Sequence, residues 1–136
     1  MMQAKQAHWN VKGPNFIALH ELFDKVFTDT GVFVDVIAER IVQLGGIARG
    51  TIRVAAKTSC LPEYPLDISS GKKHVSELAH AIAFYGEGIR KAIATCTKLN
   101  DADSADIFTQ VSRGADVNLW FVETHEQAEH LPSSPS

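Results

Sequence analysis

His8-Trp9-Asn10-Val11-Lys12-Gly13-Pro14-Asn15 is the stretch of sequence from which the fold of this chain can be read. Gly13-Pro14 ends one helix, because proline cannot continue it, and Asn15 is a good cap for the next. An unbroken helical pattern then runs from Phe16 to about Leu44, where Gly45-Gly46 is a strong stop signal. The sequence therefore predicts the end of one helix, a tight turn and a long second helix from about Asn15 to Leu44.

The second helix carries four side chains that can bind a metal ion, His20, Asp24, Asp35 and Glu39. The helical period places them at about 0°, 40°, 60° and 100° around the axis, on one stripe. Along the axis, however, the two pairs are roughly 16 Å apart. One metal ion cannot touch both pairs, because metal–ligand distances are about 2.0–2.6 Å.

An antiparallel copy of the same helix would remove this difficulty. A two-fold axis near Asp29-Thr30 would bring the first pair of one chain opposite the second pair of the other, and His8 could add another imidazole. Such a dimer would hold two identical sites of histidine and carboxylate, which suit iron or a similar first-row divalent metal. The alternative is that the four side chains form the polar edge of an ordinary amphipathic helix.

Composition bounds the class of protein. The 136 residues allow one domain with a small core, and 45% hydrophobic with 21% charged residues is ordinary for a soluble globular chain. There is no apolar run long enough to span a membrane and no signal-peptide pattern. Cys60 and Cys96 form no C-x-x-C motif, so we expect two free thiols and a cytoplasmic protein. The net charge of −3 gives no electrostatic footprint for nucleic acid.

The remaining pattern predicts two more long helices. A connection from Ile47 to Ile68, with a turn or short helix at Thr51–Ala56, is long enough to cross a bundle. A third helix is expected from Ser69 or Ser70 to about Leu99 and a fourth from about Ser104 to His130. We expect residues 1–130 to form one domain and 131–136 a disordered tail. Asp103 with Asp106 resembles a capping arrangement, and His74 and His80 read as surface histidines.

The motif around the first turn resembles the Dps family of bacterial mini-ferritins, the DNA-binding proteins from starved cells. The resemblance rests on Lys5 to Phe16 followed by His20-Glu21-Leu22-Phe23-Asp24, and covers nearly the whole chain. Later stretches continue the match: Asp35, Ala38-Glu39-Arg40, Gln43-Leu44-Gly45-Gly46, Tyr64-Pro65-Leu66-Asp67-Ile68 and Asn118-Leu119-Trp120-Phe121. It implies an all-α, ferritin-like four-helix bundle with a long crossover, here with the first helix truncated at its N-terminus.

The resemblance also implies a function, iron storage with ferroxidase activity. Fe(II) would be oxidised to Fe(III), with hydrogen peroxide or oxygen as oxidant, at inter-subunit sites of a dodecamer built from two-fold dimers. The implied ligands are His8, His20 and Asp24 of one chain with Asp35 and Glu39 of another. Such a shell would protect a cell against oxidative stress.

Further residues acquire roles from the resemblance alone. Trp9 is a candidate second-shell or electron-donating residue, with packing as its alternative role. The aspartates of one acidic stretch are candidates for a cation pore at a three-fold axis, with helix capping as their alternative: Asp101, Asp103 and Asp106.

Two other functions stay open from the sequence. One is a DNA-binding, nucleoid-associated protein, which is doubtful here because no basic tail or patch is present. The other is a metal-free structural bundle, in which the short first helix prevents the sites from assembling.

Overall fold

The computed structural model describes residues 1–127, which form five helices. They are α1 (Met2–Asn10), α2 (Phe16–Gln43), α3 (Ile52–Thr58), α4 (Gly71–Lys98) and α5 (Ala102–Gln127). The predicted all-α class is confirmed, since these residues contain no strand beyond one isolated bridge between Lys12 and Ser70. The expected end of the last helix at His130 and the expected tail 131–136 lie outside the described residues.

The long connection crosses the bundle, as the sequence predicts. The N–H of Lys12 donates to the carbonyl of Ser69 at 2.8 Å, so the end of α1 lies beside the start of α4. Because α2 also begins at that end, α2 and α4 run in the same direction, and the chain must return along the bundle between them. On the way it passes the start of α1, where Gln3 Nε2 donates to the carbonyl of Pro62 at 2.8 Å. Helix α3 lies within this crossover segment.

Helix α2 ends where the glycine pair predicts. Gly45 has a φ of +83°, a left-handed conformation that favours glycine. The N–H of Gly46 donates to the carbonyl of Ile41 and that of Gly45 to Val42, each at 2.9 Å, which is the Schellman motif. At the other end Asn15 is the N-cap residue, but its side chain makes no capping hydrogen bond.

Helix α5 is capped by Asp101, one of the three aspartates for which capping was an alternative role, and not by the pair Asp103 and Asp106. Asp101 Oδ1 accepts a hydrogen bond from the N–H of Ser104 at 3.0 Å, which makes Asp101 the cap. The arrangement expected for Asp103 and Asp106 is therefore wrong. The choice depends on where the preceding helix stops, and α4 stops just before Asn100, whose φ of 57° turns the chain.

The core lies at the α1 end of the bundle. Four helices contribute side chains to it: Ala4, Ala7 and Val11 of α1, Leu19, Phe23 and Val26 of α2, Val75 and Leu78 of α4, and Val122 of α5. His74 is fully buried among them, so its expected surface position is wrong. Its ring packs between the crossover segment and α2, a tertiary neighbourhood that helical periodicity alone does not reveal.

Two expectations concern the chain as a whole. Among the described residues, no helix combines the length and the apolar character needed to cross a membrane. Cys60 and Cys96 are both free thiols, as expected.

Candidate metal centre

Two histidines from different helices are bonded to each other's backbone. His8 comes from the last turn of α1 and His20 from the second turn of α2, joined by the tight turn at Gly13-Pro14. His8 Nδ1 lies 2.7 Å from the carbonyl oxygen of His20, and His20 Nδ1 lies 2.8 Å from the carbonyl oxygen of His8. The two rings stack with centroids 3.7 Å apart. The pair is therefore fixed in position by two reciprocal hydrogen bonds.

These hydrogen bonds decide which ring nitrogen can bind a metal ion. A carbonyl oxygen can only accept, so each Nδ1 must carry the proton and donate it. In a neutral ring the lone pair is then on Nε2. Histidines that bind metals characteristically donate their other N–H to a backbone carbonyl or a carboxylate in this way. In both neutral rings the Nε2 lone pair is therefore not used by these two hydrogen bonds.

Asp24 lies beside the two rings, one helical turn beyond His20. Its carboxylate forms an ion pair with the Lys5 ammonium, which also sits 4.8 Å above the ring of Phe27. The hydrogen bond from Lys5 lowers the pKa of Asp24, with a smaller contribution from the positive charge of Lys5. Asp24 therefore stays ionised and is held toward the histidines.

The other two predicted ligands lie elsewhere in the protomer. Asp35 and Glu39 are exposed on the second half of α2, roughly 16 Å from Asp24 along the unbroken helix. Within residues 1–127, no group of three or more His, Cys, Asp or Glu side chains is placed to hold a metal ion. His8, His20 and Asp24 line one open pocket of the protomer, but they do not by themselves form a metal-binding group, and Asp35 and Glu39 lie apart from them.

The acidic stretch is divided in two. Asp101 is bonded to Arg40 Nη2 at 3.0 Å, and Arg40 Nε donates to Ser104 Oγ at 2.9 Å. Ser104 Oγ in turn donates to Asp101 Oδ2 at 2.6 Å, so this aspartate ties α2 to the start of α5. Asp103 and Asp106 are exposed on the first turns of α5. Of the three aspartates in this stretch, Asp103 and Asp106 are exposed and Asp101 is partly buried.

Trp9 lies outside the core of the protomer. It is 61% exposed, although it directly follows His8. Trp9 points away from the core that Ala4, Ala7 and Val11 form on the same helix, and it lines a surface pocket beside the crossover segment.

Sequence reasoning missed two features near the site. Lys5 was given no role, although it stands three residues before His8 and so shares its face of α1. The buried pair of Tyr64 and His74 was missed as well, because the two residues come from different segments of the chain. Only the spacing of Lys5 gave a signal that could have been found in advance.

Comparison with known proteins agrees with this architecture. Residues 1–129 match the family model of the ferritin-like domain, so the fold and its helical site define a ferritin-like protein. A DNA protection during starvation protein from Agrobacterium fabrum is 46% identical over 90% of this chain and 76% of its own length. The chain belongs to the Dps family.

Solved Dps structures share the fold. The Dps from Microbacterium arborescens in its high iron form is 31% identical, covers 92% of this chain and 81% of its own, and superposes with a TM-score of 0.86. An N-terminal deletion mutant of Dps from Mycobacterium smegmatis is 30% identical, with a TM-score of 0.87 over 93% of this chain and 84% of its own.

Proposed function

We propose that this protein oxidises Fe(II) and stores the product as a ferric mineral, at sites formed between two copies of the chain. The observation that carries the proposal is the reciprocal hydrogen bonding of His8 and His20, which leaves two Nε2 lone pairs free beside the ionised Asp24. Imidazole nitrogens with carboxylate oxygens are a donor set that suits iron. The Dps name and the high iron form of one structural relative agree with it.

The five ligands have distinct tasks in this proposal. His8, His20 and Asp24 bind Fe(II) from one chain, and Lys5 keeps the Asp24 carboxylate ionised until the metal arrives. Asp35 and Glu39 of a second copy complete the site from the opposite side, with Glu39 as the bridge to a second, weaker iron. Carboxylates stabilise Fe(III) more than Fe(II), which favours oxidation. Hydrogen peroxide is the proposed oxidant, so the reaction would consume two reagents that together generate hydroxyl radicals.

The assembly we propose is a dodecamer of two-fold dimers. The apolar side chains along the second half of α2 support it, because they are 41–63% exposed in one protomer: Val32, Val34, Ile41 and Val42. The free thiols Cys60 and Cys96 fit a reducing compartment, and we propose the cytoplasm.

The test is complementation between two inactive variants. His20→Ala and Asp35→Ala should each lose iron oxidation, because each removes one half of every site. Mixed oligomers made by co-refolding the two variants should regain part of the activity, since a site whose halves come from different chains can then carry both wild-type halves. Refolding each variant alone is the control. No recovery in mixed oligomers of normal size would show that each chain forms its own site.

Asp103 and Asp106 are the proposed entry residues for iron. Copies of an exposed carboxylate around a symmetry axis create a negative potential that concentrates cations. The double change Asp103→Asn and Asp106→Asn should slow uptake of dilute iron and leave the rate at saturating iron nearly unchanged. Asp101→Asn is the matched control, because it removes the negative charge that pairs with Arg40 and should affect stability instead. Uptake of dilute iron at the wild-type rate by a stable double variant would contradict the entry role.

Protection of DNA is the second candidate, favoured by the printed name of the relative from Agrobacterium fabrum. Removing iron and peroxide would protect DNA without touching it. Direct binding should be weak at physiological salt, since the chain carries a net charge of −3. A gel shift that survives about 150 mM salt, where phosphate contacts are much weakened, would contradict this.

A further inference from the structure

Tyr64 and His74 form a buried pair that the proposed iron site does not use. Tyr64 lies on the crossover segment and is 9% exposed, and His74 lies in the first turn of α4 and is 0% exposed. The Tyr64 hydroxyl is 2.7 Å from His74 Nδ1, with the two rings 15° from parallel. The His74 ring is therefore excluded from solvent, and the Tyr64 ring is nearly so.

The direction of this hydrogen bond depends on the tautomer of His74. The phenol is a far stronger acid than a neutral imidazole, which favours the tautomer in which Tyr64 donates, Nδ1 accepts and the ring proton is on Nε2, a buried nitrogen with no hydrogen-bond partner among the described residues. Burial raises the pKa of Tyr64, and the negative charge of Glu77 raises it further. Burial also lowers the pKa of His74, although the backbone of Ile68 opposes this. Near neutral pH both partners are therefore uncharged, and neither gives up or takes a proton by itself.

Loss of one electron would change that balance. An oxidised phenol is a strong acid, so its proton would pass to Nδ1 along the existing hydrogen bond. Proton and electron leave together, and the tyrosyl radical that remains is neutral. Glu77, whose negative charge acts on Tyr64, would favour a positive charge formed beside it on His74. The pair is thus built to supply one electron without releasing a proton into the core.

The pair is connected to the iron half-site by one side chain. The Phe23 ring lies 6.3 Å from the His74 ring, and Phe23 directly precedes Asp24 on α2. Phe23 faces the core and Asp24 faces His8 and His20, so the two sites lie on adjacent faces of one helix, about 100° apart around its axis.

We propose that Tyr64 and His74 form a proton-coupled electron donor, which completes the reduction of peroxide when one Fe(II) alone occupies a site. That peroxide takes up the electron from Tyr64 rests on the iron-oxidising function proposed above. The step is Fe(II) + Tyr64–OH + His74 + H2O2 + 2H+ giving Fe(III) + Tyr64–O• + His74–H+ + 2H2O. Iron and tyrosine each lose one electron, and the O–O bond of the peroxide takes up both. The second electron would otherwise be missing, and a hydroxyl radical would be released.

The experiment uses the fact that the chain has two tyrosines, Tyr64 and Tyr85. In the described part of the chain the Tyr85 hydroxyl makes no hydrogen bond, which makes Tyr85→Phe the matched control for Tyr64→Phe. The assembled protein is loaded with one Fe(II) per site, mixed with peroxide and freeze-quenched for electron paramagnetic resonance. We expect a tyrosyl signal in the wild type and in Tyr85→Phe, and its loss in Tyr64→Phe.

Two further measurements test the assignment of the radical to Tyr64 independently of the Tyr64→Phe variant. Fluorotyrosine incorporated into Tyr85→Phe labels Tyr64 alone, so a changed hyperfine pattern identifies the radical even where Tyr64→Phe folds poorly. Metal-free protein oxidised by a photogenerated ruthenium(III) tris-bipyridine tests the pair without iron, and His74→Gln should shorten the lifetime of the radical there. If no radical forms on Tyr64 under photo-oxidation, the electron donor is wrong even where iron oxidation is normal. If iron is not oxidised, the iron function alone fails, and the photochemical result still decides the donor.

Discussion

The two halves of α2 carry the same kinds of residue and meet different surroundings. In the first half Leu19, Phe23 and Val26 are buried, and His20 and Asp24 are joined to α1 through His8 and Lys5. After Val26 no residue of the helix is buried, and Asp35 and Glu39 are exposed. Both halves are continuous α-helix, so local sequence does not distinguish them.

The difference corresponds to where α1 lies. Helix α1 (Met2–Asn10) packs along the first half of the antiparallel α2. In that half Leu19, Phe23 and Val26 are buried, and the bonds to His8 and Lys5 hold His20 and Asp24 in place. Beyond it, Val32 and Val34 are 63% and 53% exposed beside the acidic pair. In the proposed assembly the first half of α2 carries ligands already held in place, and the Asp35 and Glu39 of the second half meet the ligands of another copy of the chain.

The largest expected effect comes from one substitution placed in each half. Val26→Ala removes two methyl groups from a residue that is 3% exposed. We expect the free energy of unfolding to fall by about 2–3 kcal/mol, from about 0.8 kcal/mol per lost methyl plus the cavity. Val34→Ala, at 53% exposure, should leave the unfolding of the protomer nearly unchanged and weaken assembly. Urea unfolding at two widely different protein concentrations separates the two effects.

The contrast between the two halves would be contradicted if Val26→Ala and Val34→Ala lowered the free energy of unfolding by similar amounts at both protein concentrations. The second half of α2 would then be packed within the protomer as tightly as the first. Native mass measurement on Val34→Ala provides the control, because its assemblies should dissociate at a higher concentration than those of the wild type.

Acid should destabilise the buried half through His74, which packs on Phe23. Burial lowers the pKa of His74 from the ordinary 6.5, so the folded state favours the neutral ring. As pH falls below 6.5, the unfolded chain takes up a proton that the folded chain refuses, and stability decreases until the folded pKa is reached. Urea midpoints between pH 7.5 and 5 should show this loss.

His74→Gln should flatten this pH dependence, although it costs stability at every pH. His80→Gln is the matched control, because His80 is exposed on the same helix and should keep the wild-type slope. Equal slopes in His74→Gln and the wild type would mean that another group controls the acid response. The pKa values of Asp24 and Asp101 are also lowered, but from an ordinary 3.8, so they act at lower pH.

The smallest expected effect concerns the packing of the second half against α5. A Cβ on Gly114 would lie 2.3 Å from the ring of Phe33. In Gly114→Ala the ring must move, and an overpacking cost of about 1–3 kcal/mol exceeds the helix-propensity gain of about 1 kcal/mol. Gly88→Ala has nothing within 4 Å of the new methyl and should gain about 1 kcal/mol. Thermal unfolding measures the stability of both variants relative to the wild type. Equal stabilisation of the two would mean that the Phe33 ring is not held in place.

Much of this molecule could be predicted because its signals are local. Gly45-Gly46 and Ser70 mark helix ends through hydrogen bonds to near neighbours, and the structure confirms both. The length of the segment after Leu44 predicted the crossover for a geometric reason, since a short loop cannot return along a bundle. The cap at Asp101 was misassigned because two nearby aspartates offer the same chemistry, and the end of α4 decides between them.

What depends on several segments at once could not be predicted. The sequence by itself determined the helices, their order, the stripe of four potential ligands and the membership of the Dps family, because each follows from periodicity, chain breakers or a contiguous motif. The tertiary structure alone decided that His8 and His20 bond each other's carbonyl groups, that Lys5 holds Asp24, and that Tyr64 meets His74 inside the core. The physical reason is that a hydrogen bond between distant residues depends on how helices pack, and packing is a property of the whole bundle.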